Sequence, residues 1–107
     1  MSQEVPKGLA VIQQQIKELD ALAKQTLEDL NTVAGEERVA KWKTRTVTLI
    51  TEAVGLAEGQ KFAAIHPGPS FTNDLVEEFT DLIDGYRAPL AALAKQLASI
   101  PRSASGA

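Results

Sequence analysis

The side chains that could do chemistry are few and scattered along the chain. His66 is the only histidine, and it sits in the run His66-Pro67-Gly68-Pro69-Ser70. Acid–base catalysis or metal ligation would need a carboxylate, a thiolate or a second imidazole converging on it. Beside proline and glycine it reads instead as an exposed turn residue. Five carboxylates, Asp74, Glu77, Glu78, Asp81 and Asp84, recur at helical spacing. Helical di-metal sites use such carboxylates but add Glu-x-x-His pairs, which this chain lacks. The run therefore reads as a solvated helix face whose charges suit a helix N-terminus. Gly55-x-x-x-Gly59 has no Lys-Ser/Thr after it and no strand before it, so it is not a phosphate loop. Serines and threonines are common, yet no base is placed to activate one. No catalytic, cofactor-binding or metal-ligating residue is assigned, and the reading points away from an enzyme.

The densest set of charges is Arg38, Lys41, Lys43 and Arg45 around Trp42, the only tryptophan. Cations interleaved with an aromatic can track a nucleic-acid backbone and stack a base, and Lys61 could extend that surface. The competing reading is a solvated face paired with Glu28 and Asp29, with Trp42 turned into a core. Four cations are a small footprint in a chain of net charge -3. Nucleic acid is therefore the alternative partner, not the first choice.

These residues must be positioned by helices. From Leu9 the stripe runs 9, 12, 16, 19, 23, 26, 30, 33 in alternating steps of three and four. It predicts a first helix over 6–34, started by Pro6 and stopped by Gly35. Val5, Val11, Leu22 and Leu27 are surplus apolar positions that widen its face. A second helix over 36–54 opens on Glu36 and Glu37 and buries Val39, Trp42, Thr46, Leu49, Ala53 and Leu56, with Val47, Ile50 and Val54 beside them. Gly55 breaks it, and a short helix comes next over 56–65, weakened by Gly59. Residues 66–70 form a turn. The last helix, 72–100, is capped near Thr72 or Asn73. It carries Leu75, Phe79, Leu82, Tyr86, Leu90, Leu93, Leu97 and Ile100 inward, with a kink at 85–89 around Pro89.

Three arms of near-equal length predict an all-α, antiparallel up-down-up three-helix bundle whose middle helix is broken near Gly55. A hairpin turning at Gly35 would set Lys41 level with Asp29 and Arg45 level with Gln25. It would also bring Glu36 and Glu37 toward Lys95 and Arg102. Residues 1–101 form one domain, and 102–107 are expected to be a disordered tail. No apolar run approaches the ~18 residues that a membrane span needs, and the first residues do not resemble a secretion signal. The lack of cysteine fits a reducing compartment such as a bacterial cytoplasm.

Two segments carry a resemblance. Residues 36–55, with Arg38, Trp42, Lys43, Arg45 and Gly55, and the later helix over 79–97 with Tyr86, resemble the helical N-terminal regions of bacterial phage-defence proteins that bear TIR-like, nucleotide-binding effector domains. The resemblance covers about half of the chain and brings no catalytic residue. It implies an adaptor or oligomerisation module, with the Ser-Ala-Ser-Gly stretch as the start of a linker. Pro89 and the loop from His66 to Pro69 depart from that pattern.

The function expected from all of this is a helical protein–protein interaction or oligomerisation module. It would act through Leu22, Leu27, Arg38, Lys41 and Arg45, on a protein partner or a second copy, without cofactor, metal or membrane. An apolar stripe would supply affinity, and the charges around it specificity.

Overall fold

The computed structural model describes residues 4–67 and 74–98. Among the described residues there are four helices: α1 (Glu4–Asp29), α2 (Thr32–Ala53), α3 (Leu56–Ala63) and α4 (Leu75–Ala98). The chain is an all-α bundle, as its periodicity predicts. The expected ends near residue 72 and residue 100, the Thr72 or Asn73 cap, and the 102–107 tail lie outside the described residues. Of the expected capping region, Asp74 is described. Its Oδ1 accepts from the backbone N–H groups of Val76 at 2.8 Å and Glu77 at 3.3 Å, which is the work of an N-cap.

The first connection departs from expectation. α1 stops at Asp29, not at 34, and Leu30 takes a left-handed backbone with φ 56°. Asn31 then caps α2, its side chain accepting from Ala34 N–H at 3.1 Å. Gly35 is thus not a helix stop. It lies buried in the first turns of α2, where a Cβ would run into Thr26 and stand 2.8 Å from the Phe79 ring. Close packing accounts for this glycine, while Asn31 ends the hairpin more effectively because it satisfies an orphan N–H. Glu36 and Glu37 accordingly fall outside the first turn of α2.

The second connection changes the chain's path within the bundle class. Gly55 breaks the helix as expected, with φ 150° and ψ 161°, a region that a side chain makes costly. Beyond this glycine the chain turns back along α2. A Cβ on Gly59 would run into Thr51, Phe62 meets Trp42 at a centroid distance of 5.8 Å, and Lys43 Nζ donates to the Ile65 carbonyl at 2.7 Å. So α3 is a short return stroke, and α4 then runs parallel to α2 and antiparallel to α1. The contacts of α4 trace that direction. Phe79 lies by Gly35, Arg87 by Asp20, and Leu97 by Gly8. α4 stays helical through Pro89. Gly85 faces Pro67, whose ring carbons would stand 2.9 Å from an added Cβ.

The core is Ile12, Leu19, Val39, Trp42, Ile50, Phe62, Phe79, Ile83, Tyr86, Leu90 and Leu97. Trp42, Phe62 and Tyr86 form a mutual cluster with centroids 5.8–6.0 Å apart, tying α2, α3 and α4 together. The edge-on pairs, Trp42–Phe62 and Trp42–Tyr86, add ~0.5–1.5 kcal/mol each beyond their burial. Four residues expected inside are exposed: Leu30, Val33, Leu56 and Leu75. Each lies at a helix end, where the stripe has run past its partner helix. Gln15, in contrast, is buried. Its Nε2 donates to Thr46 Oγ1 at 2.8 Å, Thr46 Oγ1 donates to the Trp42 carbonyl at 2.8 Å, and Trp42 Nε1 donates to the Gln15 carbonyl at 3.0 Å. This closed polar circuit pins the register of α1 against α2.

Candidate interaction groove

An open groove lies on the outer side of the α1–α2 hairpin. It is lined by Glu18, Ala21, Leu22 and Gln25 from α1, and by Arg38, Lys41 and Arg45 from α2. Four of the five residues singled out from sequence, Leu22, Arg38, Lys41 and Arg45, meet in this one place. The fifth, Leu27, is exposed on the last turn of α1 and does not line it. Glu18, Ala21 and Gln25 were missing from the sequence-derived set. Glu18 and Gln25 are polar residues off the apolar stripe of α1, where a solvent-facing position is expected, but small Ala21 gave no signal.

The groove has an apolar floor and a charged wall. Leu22 packs partly against the core and Ala21 is exposed beside it. Arg38 is held at 3.3 Å from Asp29 and donates to Thr26 Oγ1 at 3.2 Å. Arg45 reaches Glu18 at 3.2 Å. These pairings replace the expected level of Lys41 with Asp29 and of Arg45 with Gln25. The hairpin turns at Leu30 and Asn31, so Gly35 stands across from Thr26 and Thr46 across from Gln15. That register leaves Lys41 without a carboxylate within ion-pair distance among the described residues. The pairs that do form are exposed and contribute about 0–1 kcal/mol each, so a ligand's carboxylate could compete for the same cations.

A volume of about 440 Å³ lies within the range of small-molecule pockets. The groove is open along its length, however, and a small ligand in it would keep much of its surface in water. Helix-sized side chains laid lengthwise fit this shape better.

The other candidates are dispersed. Trp42 is fully buried and cannot stack on a base. Lys43 points the other way, to the Ile65 carbonyl and over the Tyr86 ring at 5.2 Å, and Lys61 pairs with Glu58. Glu36 and Glu37 sit at the end of the bundle away from Lys95, because α4 starts at their end. Arg102 lies outside the described residues. His66 is exposed just after α3. Among the described residues, no group of three His, Cys, Asp or Glu side chains is placed to hold a metal ion. Arg87, which the sequence did not mark, bridges Asp20 of α1 and Asp84 of α4.

Fold and groove together define a small helical bundle with an amphipathic channel along its α1–α2 face. No family model, curated protein or solved structure matches the chain. Among the described residues, no helix is long and apolar enough to cross a membrane.

Proposed function

We propose that this chain is a non-enzymatic protein-interaction module that receives a helix of a protein partner, or of a second copy, in the α1–α2 groove. The observation that carries this reading is the convergence of Leu22, Arg38, Lys41 and Arg45 on one open channel. The incoming helix would lay small apolar side chains on Ala21 and Leu22. Its carboxylates would meet Lys41 and share Arg45 with Glu18. Affinity comes from the apolar floor, while partner choice and association rate come from the cations. The cysteine-free composition suits such a module in a reducing cytoplasm.

The nucleic-acid alternative draws less from the geometry. Its aromatic is enclosed, and its cations are split between two faces and mostly paired within the chain.

Ala21→Arg fills the channel from an exposed position, and Lys41→Glu reverses the charge on its wall. Both variants should melt like the parent protein. Each should reduce self-association, read by light scattering up to millimolar concentration, or remove a specific partner found by proximity labelling in the native cell. A monomeric mass at every concentration, together with the same labelled partners for parent and Ala21→Arg, would end the proposal.

A further inference from the structure

A second surface lies at the end of the bundle where α1 turns into α2 and α4 begins. Leu27, Leu30, Val33 and Leu75 are all exposed there, by 39, 70, 70 and 65%. They account for four of the five large exposed apolar side chains among the described residues. Leu75 belongs to this end because Phe79, one turn later, packs by Gly35 near the start of α2. Single exposed leucines are ordinary, but a cluster at one end of a small bundle is not.

Leu30 adds an independent observation. It is the one non-glycine residue with positive φ among the described residues. Glycine or asparagine would take this conformation at less cost. The leucine gains no burial in return, since most of its side chain faces water. Strain carried by an exposed apolar residue marks a position where something other than stability sets the residue type.

The surrounding charge identifies the occupant. Glu28, Glu36, Glu37 and Glu78 are exposed around this end, and none is in a salt bridge among the described residues. The nearby cations are Lys24, one turn down α1, and Arg38, which is held by Asp29. A second copy docking through the same end would set carboxylates against carboxylates. A nucleic acid or an anionic membrane would meet the same repulsion. We infer that this end of the bundle docks a basic amphipathic segment of another protein, its apolar residues seated on Leu27, Leu30, Val33 and Leu75 and its cations on the four glutamates. This surface is separate from the α1–α2 groove, and neither reading depends on the other.

The test uses the full chain and two synthetic helical peptides with one leucine face. One carries lysine on its polar face, the other glutamate. The lysine peptide should bind at physiological salt and shift backbone amide resonances of residues 27–36 and 75–78. Leu30→Asn combined with Val33→Ser should weaken it by about tenfold or more without lowering the melting temperature. Glu36→Gln with Glu37→Gln should flatten the salt dependence of binding. Four results would each overturn the inference: no binding of the lysine peptide, equal binding by the Leu30/Val33 variant, equal affinity for the glutamate peptide, or resonance shifts confined to the α1–α2 groove. A dimer in light scattering that the Leu30/Val33 variant dissolves would also overturn it, by making the occupant a second copy.

Discussion

A methyl group on Gly35 would press into Thr26 and stand 2.8 Å from the Phe79 ring. Gly35→Ala therefore sets two effects against each other. Alanine favours a helix over glycine by ~1 kcal/mol, whereas overpacking a tight contact costs ~1–3 kcal/mol. Thr26 is fully buried, and its hydroxyl is tied to the Leu22 carbonyl at 2.9 Å, so it has little freedom to give way. The packing term should win, and the urea midpoint should fall with the m-value unchanged. A midpoint equal to or above the parent's would show that α1, α2 and α4 do not meet this closely. The same scale explains why the basic cluster was only half legible. Arg38, Lys41 and Arg45 could be assigned to one helical face from their spacing. Which carboxylate each would meet depended on the turn, and Leu30 with Asn31 placed the turn earlier than Gly35 suggested.

The direction of α3 is decided at Gly55, between two helices. Its φ of 150° with extended ψ sends the chain back along α2, and no atom lies within 4 Å of an added Cβ. The loss in Gly55→Ala is thus a backbone effect alone, about 1–3 kcal/mol, measurable by thermal or urea unfolding. An unchanged stability would mean that the reversal does not depend on this conformation. Gly59 shows the opposite requirement, since its missing side chain lets α3 cross Thr51 closely. In the sequence both glycines looked like helix breakers, because a residue type alone does not say whether φ or space is in demand. Pro89 is similar. α4 continues through it, since the surrounding packing outweighs one missing hydrogen bond.

Trp42 reports on the molecule as a whole. Its indole N–H bonds to α1, and its ring meets Phe62 of α3 and Tyr86 of α4. A chain of this size with one shared core should unfold in a single step. Tryptophan fluorescence and helical circular dichroism should then trace the same transition in urea. Fluorescence changing well before helicity would instead show α3 or α4 leaving a surviving α1–α2 hairpin.

Periodicity and residue type determined that this chain is helical, where the bodies of its main helices run, that Gly55 interrupts them and that Trp42 belongs inside. Those properties come from which residues recur every three or four positions, which is local information. The tertiary structure decided the register of α1 on α2, the reversal of α3 and the downward run of α4. It also decided which cations share a groove and which leucines are left at an open end. Each of these depends on how closely distant faces can approach, as Gly35 does to Phe79 and Gly59 to Thr51, and such distances are not encoded in the spacing of any single helix.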